Sequence, residues 1–93
     1  MIGSFVCRRT ERLWRRQSDH GLPPQIERVA LRKLTQLDRA SELLDLRLPP
    51  GNRLEALKGD RKGQMSIRVN DQWRICFRWH DGNAYEAEMV DYH

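Results

Sequence analysis

The last thirty residues of the chain, Gln64–His93, decide the fold: QMSIRVNDQWRICFRWHDGNAYEAEMVDYH. Apolar side chains recur at every second position in two parts of this stretch, at Met65, Ile67 and Val69 and again at Trp73, Ile75, Phe77 and Trp79. A period of two is typical of β-strands with one buried face. Turn-forming residues separate the segments, first Asn70-Asp71 and then Asp81-Gly82-Asn83. The stretch therefore predicts an antiparallel meander.

The residues between these apolar positions predict a second sheet face that carries arginine. Arg68 belongs to this face on the first strand, and Arg74 and Arg78 belong to it on the second. Cross-strand neighbours lie about 5 Å apart and diagonal ones about 7–8 Å apart. Such a cluster suits the grip of a phosphate and the stabilisation of charge on it. The alternative is a solvated face on which Glu86 and Glu88 pair with the arginines.

Length and composition limit the class of protein. The 93 residues predict one domain, residues 1–93, with a core too small for a deep cofactor cavity. A hydrophobic share of 39% and a charged share of 32% are typical of a globular protein. No apolar run approaches about 20 residues, and the N-terminal segment lacks the apolar region of a signal peptide. We therefore expect no membrane span and a cytoplasmic location.

The charge of the chain points toward nucleic acid without establishing it. The net charge is +4, and all but three of the 17 basic residues are arginines. The planar guanidinium suits phosphate better than the point charge of lysine does. Arginine content also rises with genome base composition, so composition alone leaves nucleic-acid binding open.

The cysteines and histidines predict no metal site and no cofactor. Cys7 and Cys76 are far apart and form no CxxC pair, and His20, His80 and His93 do not have ligand spacing. Both cysteines are expected to be buried or half-buried thiols in a reducing compartment.

The chain before the meander predicts two helices between short strands. Ile2–Cys7 is expected to be a strand, and Thr10 is expected to cap a helix that runs to about Gln17. A longer helix is expected from about Gln25 to Arg39, followed by a strand over Arg53–Lys58. The longer helix carries one apolar stripe, formed by Ile26, Val29, Ala30, Leu34 and Leu37. This order predicts an α+β fold with two N-terminal helices on one face of a mostly antiparallel sheet.

The C-terminal tripeptide is a candidate for proton transfer. Asp91 and Tyr92 place a carboxylate and a phenol beside the imidazole of His93. The alternative is an inert chain end, because termini fray. Lys58, Arg61 and Lys62 lie at the rim of the predicted sheet, where they either contact a nucleic-acid backbone or only increase solubility.

Three segments carry a resemblance to a known family: RLEALKGDRKG at 53–63, SIRVNDQWRICF at 66–77, and the final DYH. Together they resemble the HigB toxins, or plasmid-maintenance killer proteins, of the RelE/ParE superfamily, over nearly the whole chain. The resemblance implies a RelE-like, microbial-RNase-type α+β fold. It also implies a toxin of a type II toxin–antitoxin system, a ribosome-dependent and metal-independent endoribonuclease that cuts mRNA in the ribosomal A site. In that family the RNA 2′-hydroxyl attacks the adjacent phosphate.

The resemblance assigns roles by position. The implied catalytic residues are His93, Asp91, Tyr92, Arg74, Lys58 and Glu55. Among them Arg74 is implied to hold and neutralise the scissile phosphate. Glu55 stands where some active members carry histidine, which shifts proton transfer toward His93 and Asp91, and an ionised glutamate would repel phosphate. The arginine-bearing face, the rim loop and a polar position beside Arg74 supply the expected RNA-binding residues Arg68, Arg78, Gln72, Arg61 and Lys62.

The resemblance also implies partners. These are a HigA-type helix-turn-helix antitoxin, the ribosome and mRNA. The chain has no recognisable helix-turn-helix, so operator DNA would be bound only through the antitoxin. Two alternatives stay open, a ParE-like inhibitor of DNA gyrase on the same fold and a non-catalytic basic binding module. The ending Asp91-Tyr92-His93 favours the nuclease, whereas Glu55 leaves the binding module open.

Overall fold

The computed structural model describes residues 1–92. His93, for which a role in proton transfer is expected, lies outside the described residues. The described chain forms helices α1 (Arg8–Trp14) and α2 (Glu27–Arg39) and strands β1 (Glu55–Ala56), β2 (Met65–Arg68), β3 (Trp73–His80) and β4 (Asn83–Asp91). Short 3₁₀ turns occupy Ser18–His20, Pro24–Ile26, Leu43–Leu46 and Gly59–Arg61. Among residues 1–92 no helix has both the length and the apolar character needed to cross a membrane.

The four strands form one antiparallel sheet in the order β1-β2-β3-β4. Both helices contribute to a hydrophobic core shared with one sheet face, with Leu13, Leu34, Leu37, Ile67, Ile75 and Phe77 almost fully buried. The apolar stripe predicted on α2 is confirmed, because Ile26, Ala30, Leu34 and Leu37 are buried and Val29 packs against them. The α+β class predicted from the order of the elements is therefore confirmed.

The N-terminal segment joins the sheet in a different way from the predicted strand. Ile2 and Phe5 form isolated parallel bridges to Ala84 and Ala87. The amide of Gly3 donates to the carbonyl of Ala84 at 2.7 Å. The segment thus adds a parallel flank to β4 without a continuous ladder, and the sheet is antiparallel elsewhere.

The prediction of an N-cap at Thr10 is wrong. Helix α1 begins three residues earlier, with Cys7 at the N-cap position, and it ends at Trp14 rather than near Gln17. Thr10 is fully buried, and its hydroxyl oxygen accepts the backbone N–H of Met89 at 2.8 Å. The residue serves a contact between helix and sheet, which local sequence pattern does not reveal.

The predicted strand over Arg53–Lys58 is shorter in the structure, where only Glu55–Ala56 pair as a strand. Arg53 has a φ of +45° and Gly59 has a φ of +65°, and neither value fits an extended strand. These two residues therefore limit β1.

A β-bulge in β4 changes which of its side chains face the core. Cys76 pairs with Glu88 and Arg78 pairs with Tyr85, so one residue of β3 lies opposite two residues of β4. Within the bulge, Glu86 has a φ of +52°. Strict alternation would place residues 84 and 87 on opposite faces, whereas both are buried alanines. The extra residue keeps both of them in the core.

Candidate active site on the arginine-bearing face

The order of burial on β3 follows the predicted alternation. Ile75 and Phe77 are fully buried and Trp73 is 8% exposed, whereas the side chains of Arg74 and Arg78 are 12% and 45% exposed. Ser66 and Cys76, which alternate with the core positions and so belong to the opposite face, are nevertheless fully buried. These small side chains lie beneath the longer polar side chains of that face. We call this side of the sheet the arginine face.

Arg74 is held at the centre of the arginine face by neutral oxygen atoms. Its Nε donates to the hydroxyl oxygen of Ser66 at 2.8 Å, and its Nη2 donates to the backbone carbonyl of Arg53 at 2.7 Å. Oε1 of Glu55 lies farther away, 3.8 Å from Nη2. A guanidinium that is oriented mainly by neutral acceptors keeps its positive charge for an incoming anion.

Arg61 and Arg78 differ from Arg74 because each is neutralised by a close carboxylate. Nη1 of Arg61 lies 2.8 Å from Oε1 of Glu88, and this hydrogen bond raises the pKa of Arg61. Nε of Arg78 lies 2.7 Å from Oε2 of Glu86. For Arg78 the alternative of pairing with a glutamate of the next strand is confirmed, whereas Glu88 pairs with Arg61, for which no such pairing was expected.

Tyr92 lies over Arg74, with 6.0 Å between the Cζ atom of Arg74 and the centre of the phenol ring. This distance is within the range of a cation–π contact. Burial raises the pKa of the Tyr92 phenol, and burial also raises the pKa of the Cys76 thiol beneath it. Both groups are therefore protonated at neutral pH, and the phenol of Tyr92 is available as a neutral hydrogen-bonding group.

The start of β3 holds the end of the described chain. The side-chain amide of Gln72 donates to Oδ2 of Asp91 at 3.0 Å, and the backbone N–H of Tyr92 donates to the carbonyl of Gln72 at 2.6 Å. Arg74 is the register partner of Val90. These contacts bring Asp91 and Tyr92 to the same end of the sheet as Arg74.

Other predicted site residues have other partners or lie at the rim of the sheet. Arg68 is its register partner across the sheet, but the guanidinium of Arg68 pairs with Asp71 in the adjacent turn. Lys58 and Lys62 are exposed at the rim of the sheet. The predicted three-arginine grip is thus not formed, because Arg68, Arg74 and Arg78 each have different partners.

Two groups at the site were not predicted from the sequence, Ser66 and the carbonyl of Arg53. Ser66 lies between two core positions of β2, so its place on the arginine face was predictable, but its bond to Arg74 depended on the register. Nothing in the sequence signals the positive φ that turns the Arg53 carbonyl toward Arg74.

Cavities and metal ligands do not add to this site. Within residues 1–92 no group of three His, Cys, Asp or Glu side chains is placed to hold a metal ion. An open groove of about 510 Å³ lies beside α2, where Arg32, Gln36, Arg39 and Asp45 are among the lining residues. This groove contains none of the predicted site residues.

Comparison with known proteins identifies the family. A model of HigB-like toxins, described as RelE-like toxins of the type II toxin–antitoxin system HigB, matches residues 4–93. The chain is 50% identical to Toxin HigB-1 of Vibrio cholerae serotype O1 over 68 residues, which cover 73% of this chain and 72% of that protein. It is 37% identical to Endoribonuclease HigB of Proteus vulgaris over the full length of both proteins. The chain therefore belongs to the HigB-like family of RelE-like toxins of type II toxin–antitoxin systems.

Proposed function

We propose that this toxin is an endoribonuclease that cleaves mRNA in the ribosomal A site. The observation that carries the proposal is the placement of Arg74, a mostly buried guanidinium oriented by neutral acceptors, beside Tyr92. The full-length similarity to a relative named as an endoribonuclease supports the reaction class.

The proposed reaction is a transesterification within the RNA. The 2′-hydroxyl loses its proton and forms a bond to the adjacent phosphorus, while the bond from phosphorus to the 5′-oxygen breaks and that oxygen gains a proton. Arg74 stabilises the negative charge that accumulates on the phosphoryl oxygens. We assign proton transfer to His93, with Asp91 and Tyr92 assisting. In this scheme side chains supply the charge stabilisation and proton transfer, so the reaction is proposed to be metal-independent.

The remaining predicted residues are proposed to set the strength of RNA binding around this centre. Lys58 lies at the rim, where its exposed ammonium group can approach the phosphate. Glu55 approaches Arg74 from β1 and makes the local charge less positive before RNA binds. The proposed contacts to the RNA backbone are made by Arg61, Lys62, Arg68, Gln72 and Arg78.

The family implies a protein partner, because a type II system pairs its toxin with an antitoxin. We propose that this partner is a HigA-type helix-turn-helix protein and that operator DNA is bound only through it. Because the proposed reaction depends on the ribosome, we also propose a cytoplasmic location, with ribosome and mRNA as further partners.

The test is expression of the wild-type chain and of Arg74→Ala, with transcriptome-wide mapping of mRNA ends and a parallel assay of gyrase supercoiling. We expect new mRNA ends within translated regions for the wild type, few for Arg74→Ala, and normal supercoiling for both. Arg32→Ala is the matched control, because Arg32 lies on α2 beside the groove. Loss of supercoiling without new mRNA ends would replace the nuclease with a gyrase inhibitor, and neither effect would favour a binding module.

A further inference from the structure

Arg74 lies between hydrogen-bond acceptors that the folded protein holds in place before any substrate binds. We propose that Ser66, which no assignment above includes, is a positioning residue that orients the Arg74 guanidinium together with the backbone carbonyl of Arg53. This inference rests on the proposed function, and it adds a specific means by which the chain directs Arg74 toward the phosphate.

Ser66 provides the first acceptor. Its side chain is fully buried on β2, and its hydroxyl oxygen accepts the Nε–H of Arg74 at 2.8 Å. The backbone carbonyl of Ser66 lies 3.4 Å from Nη2 of the same guanidinium. A hydroxyl fixes the direction of the guanidinium without cancelling its charge, which a carboxylate at the same place would do.

The second acceptor depends on a strained backbone. Arg53 has a φ of +45°, a left-handed conformation that an L-residue with a side chain rarely adopts. Its carbonyl accepts from Nη2 of Arg74 at 2.7 Å. Such conformations persist where surrounding contacts over-determine them, and they concentrate at functional sites.

Asn52 supplies the surrounding contacts. It is fully buried, and its side-chain amide donates to the carbonyl of Leu46 at 3.0 Å and to Oε1 of Gln36 at 3.1 Å. Its Oδ1 accepts from Lys33, and its backbone carbonyl accepts the N–H of Arg68 at 2.6 Å. The residue before the strained carbonyl is therefore tied to α2, to the loop after it and to β2.

This arrangement accounts for the low exposure of an arginine on an outer sheet face. With Nε and Nη2 bonded to Ser66 and Arg53, the guanidinium plane is fixed, and it cannot turn freely toward Glu55. Catalytic electrostatics depend on such preorganisation, because a charge that must reorient in the transition state stabilises it less.

A double-mutant cycle on Ser66 and Arg74 tests the proposal by single-turnover cleavage of mRNA on saturating programmed ribosomes. We expect Ser66→Ala to slow cleavage by about 10- to 100-fold, as misplacement of a catalytic group does. Ser66→Thr retains the hydroxyl and is expected to restore most of the rate. In the Arg74→Ala background, Ser66→Ala is expected to cause no further loss, because the group that it positions is absent.

The outcomes separate this inference from the proposed function. Equal slowing by Ser66→Ala in both backgrounds would show a general structural role and overturn the proposal, as would a wild-type rate for Ser66→Ala. Wild-type cleavage by Arg74→Ala would instead overturn the role of Arg74 itself.

A spectroscopic readout completes the test in the free toxin. The side-chain Nε–H of Arg74 is expected to give a slowly exchanging ¹⁵N–¹H signal in the wild type, because its acceptor is fully buried. Ser66→Ala is expected to speed that exchange while the backbone spectrum stays folded. An unchanged exchange rate in the folded Ser66→Ala variant would contradict the proposal that Ser66 orients Arg74.

Discussion

The carboxylate of Glu55 lies 3.8 Å from the guanidinium of Arg74, the distance from Oε1 to Nη2. Arg74 has closer neutral partners, and the side chain of Glu55 is 54% exposed, so this pair contributes little to folding stability. The charge of Glu55 instead affects the binding of an anionic ligand. A phosphate that approaches Arg74 meets the negative charge of Glu55 at the same time.

Removal of this charge is expected to strengthen RNA binding. Glu55→Gln should lower the concentration of programmed ribosomes required for half-maximal cleavage by up to about fivefold, the size of effect expected for an exposed charge pair. The measurement is the single-turnover rate as a function of ribosome concentration. Unchanged or weaker binding would contradict this role, and a saturated rate reduced more than about 100-fold would identify Glu55 as a proton-transfer group.

Arg61 and Lys62 are neighbours with different ion pairing. Arg61 is bonded to Glu88 at 2.8 Å, whereas the exposed Lys62 makes no ion pair within residues 1–92. A free cation that binds phosphate releases counterions, so Lys62→Gln should reduce the slope of log affinity against log salt concentration by about 1. Arg61→Gln should reduce it less, because Arg61 has to leave Glu88 to bind RNA. Ribosome binding measured over a salt series checks both, and equal slopes for the two variants would contradict the distinction.

Removal of the hydrogen bond between Thr10 on α1 and Met89 on β4 is expected to lower the stability of the fold. In Thr10→Val the shape is kept, but the buried N–H of Met89 loses its acceptor, which costs about 1–3 kcal/mol in the free energy of unfolding. Thr35→Val is the matched control, because the Thr35 hydroxyl donates within α2 to the carbonyl of Leu31. Urea unfolding of the two variants gives the comparison. A loss of stability as small for Thr10→Val as for Thr35→Val would contradict the role of the Thr10 hydroxyl.

Thr10 also shows where sequence patterns stop predicting the fold. Period-two alternation predicted β2 and β3, and a helical stripe predicted α2, because burial of one face determines the spacing of apolar residues along the chain. The hydroxyl of Thr10 suits a helix cap equally well in sequence, but its partner is Met89, 79 residues away. The left-handed backbone of Glu86 has the same character, since the bulge at this residue follows from the pairing of β3 with β4.

The candidate site likewise has features that the sequence predicts and features that depend on the tertiary fold. Alternation placed Arg74 and Arg78 on one face, and the turn chemistry predicted a further strand, β4, which in the structure brings Tyr92 beside Arg74. The neutral acceptors of Arg74 were not predictable, because one of them is a backbone carbonyl that any residue at position 53 would carry. Its direction depends on the positive φ of Arg53, which depends in turn on the buried contacts of Asn52.

The last prediction concerns His93, the residue after Tyr92 in the sequence, and Tyr92 itself contacts Gln72 and Arg74. Imidazole has an unperturbed pKa of about 6.5 and exchanges protons near neutral pH. Proton transfer by such a group contributes about 10²–10⁴-fold in rate, so His93→Gln should lose that factor in single-turnover cleavage on saturating ribosomes. His80→Gln is the control, because His80 is an exposed histidine at the end of β3, where it pairs with Asp81. Equal rates for His93→Gln and the wild type would transfer the proton-transfer role to Glu55 or Lys58, since both have ionisable side chains and the family resemblance implies a catalytic role for both.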